Sequence, residues 1–321
     1  MNEDANTKTR PRSIRRAGNL LILAGAAVAI ATVAGFAGTV WWRFELACHF
    51  RVQYIVSLAV IALALALLRR WRFAAVFVAF CMLNLAVVLP LWAFAPEEPA
   101  TVPVRAMLMN VLTSNRDSDS VRAAIEDYNP DFIVLLETDK WWLTELDAIR
   151  HTYPYMITRP RPDNFGITFL SKVEPANLEI VDVAVTDVPA VLAKIEFDGR
   201  PFAILGMHAF PPVHGSVALR RNKQFADTAA FVRRLKMPVL LLGDLNTTPW
   251  SPYFTRLLDE SGLYDSSAGY GYQPTWPTSN PLLWIPIDHC LYSNGIGIAS
   301  REVGPDVGSD HFPVIVDFTL R

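Results

Sequence analysis

Cysteine is scarce in this chain of 321 residues: Cys48, Cys81 and Cys290 are the only three. None shares the close spacing of a structural zinc site or a redox dithiol. With one cysteine beyond residue 96, the C-terminal part has no internal disulfide. Charge is unevenly missing as well. Residues 1–96 hold three acids (Glu3, Asp4, Glu45) against ten bases, net +7, whereas 97–321 hold 28 acids and 19 bases, net −9. That acidic balance is the wrong sign for a protein that tracks a nucleic-acid backbone. No internal repeat and no low-complexity tract is present.

Three stretches lack charge altogether: Gly18 to Trp42, Val52 to Leu68 and Phe73 to Ala95. Each is about long enough to cross a hydrocarbon core of roughly 30 Å at about 1.5 Å per residue. A cleaved signal peptide does not fit, because the first run exceeds an h-region and no small-residue cleavage site follows it. Three transmembrane helices are therefore expected within residues 1–96, after an N-terminal cytoplasmic tail. Lys8, Arg10, Arg12, Arg15 and Arg16 precede the first run, and Arg69, Arg70 and Arg72 link the second to the third. The intervening loop offers Arg43 and Arg51, offset by Glu45. The positive-inside rule then places the N-terminus in the cytoplasm and the C-terminal domain outside the membrane. Trp41, Trp42, Trp71 and Trp92 stand at run ends, where interfacial aromatics belong.

Pro96-Glu97-Glu98-Pro99 reads as a linker, which makes 97–321 one domain with ample length for a large core. Strands are expected at Val104–Val111, Asp131–Glu137, Gly166–Ser171, Val191–Phe197, Phe202–His208, Val239–Gly243, Ile287–Ser293 and Val314–Phe318. Helices are expected at Ser118–Tyr128, Trp141–Arg150, Val217–Leu235 and Pro252–Glu260. Strands that sometimes alternate with helices and sometimes follow each other argue for two packed sheets with helices outside.

The polar residues that end these strands form the candidate site. Asn110 lies in Leu108-Met109-Asn110-Val111, and Glu137 closes Phe132-Ile133-Val134-Leu135-Leu136-Glu137. His208 closes Ala203-Ile204-Leu205-Gly206-Met207-His208. The run Gly243-Asp244-Leu245-Asn246 places a carboxylate and an amide two residues apart, where strand alternation would aim both at one face. Asp288 follows Pro286-Ile287, and Ser309-Asp310-His311 precedes the last strand. A buried terminal acid such as Glu137 is costly unless paired or bound to a cation. Seven such sites at strand ends, with Asp310-His311 counted as one, mark a ligand site in a layered fold.

This ordered set, above all Gly-Asp-Leu-Asn and Ser-Asp-His, resembles the endonuclease/exonuclease/phosphatase superfamily with the DNase I-like fold. The resemblance covers essentially all of 101–321. It implies a four-layer α/β sandwich that hydrolyses phosphomonoesters or phosphodiesters with Mg²⁺ or Mn²⁺. By that resemblance Glu137 is the principal metal carboxylate, with Asn110 beside it and Asp310 assisting. Asp244 activates or orients the attacking water, and Asn246 holds a phosphate oxygen. His311 touches the scissile phosphate, Asp288 pairs with it, and His208 is the second phosphate-contacting histidine. One departure is Leu112, where some family nucleases carry an acid.

The chemistry is coherent without the family. An anionic ester needs its charge neutralised, which a hard cation on oxygen ligands supplies. A carboxylate can take the proton of water, and an oriented histidine can stabilise charge on phosphoryl oxygens.

Other residues read less sharply. Arg221 and Gln224 support the site from behind or line a solvated helix face. His214 is a loop residue or a substrate contact. His289 should point to the opposite sheet face from Asp288 and pack there. Arg159, Arg161 and Asn164, in a Pro-rich loop, offer a diphosphate ligand. Trp276 and Trp284 form a substrate wall or ordinary packing.

Acidic charge and three membrane helices favour a lipid-linked phosphate substrate over DNA. The arrangement resembles the VanJ-like proteins of glycopeptide resistance, which implies a polyprenyl diphosphate substrate and a place in the cell envelope. The alternatives are a sphingomyelinase-like phospholipase C, an extracytoplasmic nuclease, and a non-catalytic membrane-anchored binding domain.

Overall fold

The computed structural model describes residues 12–93, 103–184 and 186–321. Lys8, Arg10 and the Pro96-Glu97-Glu98-Pro99 linker, with the expected domain boundary, lie outside the described residues. The chain divides into two compact units, Met1–Leu89 and Pro90–Arg321.

The first unit is helical: α1 (Arg12–Phe36), α2 (Trp42–Cys48), α3 (Arg51–Leu67) and α4 (Trp71–Val88). Two helical spans, Arg12–Phe36 and Trp71–Trp92, are long and apolar enough to cross a membrane. A third span results only if α2 and α3, bent by 64° to each other, count as one. Where α1 and α4 pack, a Cβ on Gly25 would come within 2.4 Å of the Phe77 ring, so a small residue is required there. Outward-facing Leu23, Ile30, Val60, Leu63, Val76 and Met82 remain exposed, as lipid-facing positions do.

Two charge placements differ from expectation. Arg12, Arg15 and Arg16 lie inside α1 instead of ahead of it, since arginine is a good helix former. Arg51 is the buried first residue of α3, not a loop charge. Its guanidinium donates to Thr32 O and Asn84 Oδ1, each at 3.0 Å, and a polar partner is what makes such burial tolerable.

The second unit has twelve strands among its described residues. They are β1 (Val104–Asn110), β2 (Phe132–Leu136), β3 (Tyr155–Arg159), β4 (Ile167–Ser171), β5 (Asn177–Val181) and β6 (Ala190–Phe197). They continue as β7 (Arg200–His208), β8 (Val239–Asp244), β9 (Tyr264–Asp265), β10 (Asp288–Tyr292), β11 (Ile296–Val303) and β12 (Val314–Leu320). The helices are α5 (Ser118–Tyr128), α6 (Lys140–Leu146), α7 (Gly215–Leu235) and α8 (Pro252–Ser261). One sheet runs β11-β12-β1-β2-β4-β3 and the other β5-β6-β7-β8-β10-β9.

Alternation explains the layering. On β2, Phe132, Val134 and Leu136 enter the core between the sheets, with Phe202, Ile204, Leu240 and Leu242 from the other sheet. Ile133 and Leu135 point the opposite way, onto Val121 and Ile125 of α5 and Trp142 of α6. On the second sheet Leu205 and Leu241 meet Phe225 and Val232 of α7 and Phe254 of α8. Each central strand is therefore apolar on both faces and reads as an unbroken hydrophobic run. The result is the expected helix–sheet–sheet–helix sandwich.

Strand direction then places the polar ends together. β1 pairs in parallel with β2, and β7 in parallel with β8, so each pair ends on the same edge. His208 is in register with Asp244, and Asp244 with Asp288 of antiparallel β10. Three of the candidate site residues thus share one row across three strands. Gly243 fits there because a Cβ would lie 2.4 Å from the Met207 carbonyl oxygen.

Candidate active site

Backbone conformation is unusual around the strand ends. Leu112, Glu137 and Asn246 are non-glycine residues with φ of +59°, +62° and +50°. Each such residue costs about 1–3 kcal/mol and persists only where its surroundings hold it. Here Leu112 N–H donates to Asn110 Oδ1 at 3.1 Å, and Asn246 N–H to Asp244 Oδ1 at 2.9 Å. Glu137 N–H donates to Gly166 O at 2.8 Å. Only glycine fits at 166, since a Cβ would lie 1.8 Å from the Thr138 carbonyl oxygen.

Asn246 corrects one expectation. It does not share a face with Asp244 through strand alternation, because β8 has ended and the chain turns. The left-handed backbone brings the amide back, and its Nδ2 donates to Ala209 O at 2.9 Å and stands 3.3 Å from His208 Nε2.

Asn110 joins the two sheets. Its Nδ2 donates to Glu137 Oε1 at 2.9 Å and to Asp244 Oδ2 at 3.2 Å. Asp244 Oδ2 lies 3.3 Å from His208 Nε2 and 3.7 Å from His311 Nε2. On its other ring nitrogen His311 meets Asp288, Nδ1 to Oδ2 at 2.8 Å. Asp310 Oδ1 is 4.0 Å from His311 Nε2 and has no hydrogen-bond partner, while Trp276 Nε1–H donates to Asp310 Oδ2 at 3.1 Å. All eight expected site residues therefore meet in one constellation, most of it buried.

Burial and charge act in opposite directions here. For Asp244 burial opposes ionisation, but the cationic His311 and the hydrogen bond from His208 more than reverse it, holding its pKa near about 2. For His311 burial likewise opposes charge, yet the carboxylates of Asp288 and Asp244 raise it to about 10. His208 is raised in the same manner by Asp244, against its own burial. Glu137 goes the other way: burial dominates and lifts its carboxyl above the usual range, despite help from His208 and Asn110.

Asp244, Asp288 and His311 each offer a ligand atom within 4.8 Å of the others, and no other such grouping occurs among the described residues. That trio is not the expected metal set of Glu137, Asn110 and Asp310. Within the trio the groups pair with one another, His311 Nδ1 lying 2.8 Å from Asp288 Oδ2 and His311 Nε2 3.7 Å from Asp244 Oδ2.

Several supporting groups carry little signal in the sequence. Thr113 donates N–H to Glu137 Oε2 at 3.3 Å and its hydroxyl to Glu137 O at 3.0 Å. Thr275 Oγ1 accepts the N–H groups of Ile287 and Asp288. Ser309, within the Ser-Asp-His run, donates its hydroxyl to Asn110 O at 2.7 Å and accepts His311 N–H at 3.1 Å.

Arg221 and Gln224 are buried, which excludes the solvated face. Gln224 Nε2 donates to His208 O at 2.9 Å and its Oε1 accepts Phe210 N–H at 3.2 Å, so it braces the histidine from behind. His289 packs as expected, 4.6 Å from the Phe254 ring, with Nε2 2.8 Å from Thr247 O. Arg159 ends β3 instead of lying in a loop. Arg161 is tied to Asp163 and Asp187, so it is not a free anion ligand. His214 is exposed just ahead of α7. Trp276 holds Asp310, and Trp284 packs edge-on against Phe312 at 5.9 Å.

The family model described as Endonuclease/Exonuclease/phosphatase family matches residues 107–311. The chain belongs to that family. The fold agrees with the human Nocturnin catalytic domain with bound sulfate anion, at TM-score 0.58 and 19% identity, covering 68% of this chain and 94% of that one. It also agrees with the endonuclease/exonuclease/phosphatase from Beutenbergia cavernae, at TM-score 0.56 and 17% identity, covering 68% of this chain and 72% of that one. A curated relative, UPF0294 protein VV2535 of Vibrio vulnificus (strain YJ016), is 27% identical over 127 residues. That match spans 38% of this chain and 41% of the relative's length.

Proposed function

We propose that this protein is a membrane-anchored, divalent-metal-dependent phosphoester hydrolase acting on a lipid-linked phosphate or diphosphate. Polyprenyl diphosphate is the substrate we favour, as in the VanJ-like proteins. The anchor is three membrane helices with the catalytic unit on the extracytoplasmic side. The observation that carries the reading is the convergence of Asn110, Glu137, His208, Asp244, Asn246, Asp288, Asp310 and His311 at one strand edge.

The residues suit a hard cation such as Mg²⁺ or Mn²⁺. Glu137 is a carboxylate whose burial is poorly compensated, Asn110 lies against it, and Asp310 Oδ1 is buried without a hydrogen-bond partner. Glu137, with Asn110 and Asp310, would hold such an ion, which would supply neutralisation of the phosphate charge and polarisation of the P–O bond.

The chain's own groups perform the rest. Asp244, ionised throughout the physiological range, accepts a hydrogen bond from the attacking water and aims its lone pair at phosphorus. The water's proton passes toward Asp244 as the new P–O bond forms and the bond from phosphorus to the leaving oxygen breaks, the leaving oxygen taking its proton from solvent. Asn246 and His208 donate to phosphoryl oxygens. His311, fixed by Asp288 and kept cationic, stabilises the charge that develops on them. The net acidic charge of 97–321 disfavours a long polyanion as substrate.

The test is Mg²⁺-dependent phosphate release from undecaprenyl diphosphate by the purified full-length protein, beside plasmid DNA and sphingomyelin. Release from the polyprenyl lipid alone, lost in Asp244→Ala and His311→Ala, is the expected result. Cleavage of DNA without lipid activity overturns the substrate assignment, and activity on no phosphoester overturns the reading.

A further inference from the structure

Exposed apolar side chains are unevenly spread over residues 103–321. Among the described residues there, the exposed large hydrophobics are Val213, Leu219, Tyr264, Leu282 and Leu283. Scattered single residues of this kind are ordinary on a protein surface. Four of these five, however, fall in two short segments that flank the candidate active site.

The first segment leaves the site directly. It follows His208 at the end of β7, and Phe210 carries the Arg220 guanidinium over its ring at 4.2 Å. Phe165 lies 5.2 Å from both the Phe210 and His208 rings. A series of edge-on and tilted ring contacts thus leads from exposed Arg220, beside Leu219 at 70% exposure, inward to His208. The second segment is the turn Pro281–Leu283, with Leu282 at 81% exposure. It lies between Trp276, which holds Asp310, and Trp284, which packs on Phe312 next to His311.

Charge sharpens the pattern. Within a region of net −9, Ser266 to Ile287 contains no charged residue, and Phe210 to Arg221 contains no acid. Two segments that carry no acid of their own, edged by Arg220 and His214, match a surface that rests at the boundary of headgroups and acyl chains. Of possible occupants, a bilayer is the one this chain carries with it, through helices long and apolar enough to cross one.

We propose that the segments 210–220 and 281–284 form a rim that docks the mouth of the site on a bilayer surface. The rim takes a phosphate group into the site while the lipid tail stays in the membrane. Its role in catalysis rests on the phosphoester-hydrolase reading above, whereas its placement is testable without any activity.

Full-length protein in phosphatidylcholine–phosphatidylglycerol nanodiscs would carry a nitroxide at Val213→Cys, Leu282→Cys or Asp198→Cys. Cys81→Ala serves as background, since Cys48 and Cys290 are buried. Asp198 lies in the turn at the opposite end of the β6–β7 hairpin. Labels at 213 and 282 should collide with oxygen more than with a water-soluble nickel chelate, and the label at 198 should do the reverse. Labels at 213 and 282 as wet as the one at 198 overturn the proposal. So does shielding from both reagents, which would mean burial against a second protein copy.

A functional arm follows from Val213→Asp combined with Leu282→Asp and Leu283→Asp. Hydrolysis of a bilayer-embedded lipid phosphate should fall at least about 10-fold, with a soluble phosphodiester cleaved at the unchanged rate. Equal losses on both substrates overturn the rim. Lipid-facing labels on a protein that cleaves no phosphoester would leave the rim standing and sink the hydrolase reading.

Discussion

Glu137 and Asp244 are both carboxylates at strand ends, both buried, and both bonded to the same amide nitrogen of Asn110. Their acidities nevertheless move in opposite directions. Asp244 faces His208 and His311, and two imidazoles hold it down to about 2. Glu137 has an amide, a backbone N–H and only a more distant histidine, so burial prevails and its carboxyl rises. One half of the site is balanced within the protein, and the other half lacks positive charge. The difference locates where an external cation would be most favourable.

The largest expected effect tests the balanced half. Asp244→Asn removes the carboxylate that aims the water in the proposed mechanism and should lower kcat by about 10³-fold or more, a change of roughly 4 kcal/mol. The same variant strips both histidines of a partner, so its melting temperature in EDTA should fall. Glu137→Gln should break the symmetry of the comparison. Without Mg²⁺ this variant should melt at or above the wild-type temperature, because an unfavourably buried charge is gone. Stabilisation by added Mg²⁺ should largely disappear. A Glu137→Gln protein less stable than wild type in EDTA would overturn the contrast.

Stability against pH sharpens the same point, in metal-free protein. His311 is raised in the folded state to about 10 from 6.5, so its contribution is complete below pH 6.5 and is lost as pH rises toward 10. Asp244 is lowered from 3.8 to about 2, so its contribution is present above 3.8 and is lost as pH falls toward 2. Melting temperatures in EDTA should therefore decline above pH 6.5, and Asp288→Asn should flatten that decline. The smallest effect belongs to Trp276→Phe, which removes the indole N–H from Asp310. It should raise the Mg²⁺ concentration for half-maximal activity by about 3–10-fold with little change in kcat.

The pattern of legible and illegible elements has a physical cause. The strands missing from the sequence reading are β3, β5, β9 and β11, and these are the four edge strands of the two sheets. An edge strand has one neighbour and a more open face. Asn177–Val181 alternates with polar residues and stays half exposed, and Tyr155–Arg159 has no fully buried position. Central strands such as Phe132-Ile133-Val134-Leu135-Leu136 are buried on both faces and announce themselves. Helix α5 was equally plain, with Asp117 accepting the Ser120 N–H at its start and Asn129 in a left-handed cap.

The candidate site divides along the same line. Its acids, amides and histidines could be collected because each follows an apolar run. Thr113, Thr275 and Trp276 could not, since nothing local distinguishes a threonine that braces a carboxylate from one in any loop. Arg51 misled the reading for a related reason: Thr32 and Asn84, which make its burial tolerable, lie on other helices.

The sequence by itself determined the two-part organisation, the apolar central strands and the residue types gathered at their ends. Those follow from composition and from periodicity along the chain, which are local. Only the tertiary structure decided that His208, Asp244 and Asp288 share one row. It also decided that Asn246 reaches the site through a left-handed turn, and that Asp244 is compensated while Glu137 is not. Acidity depends on which charges stand within a few ångströms and how much water is excluded, and strands far apart in sequence supply both.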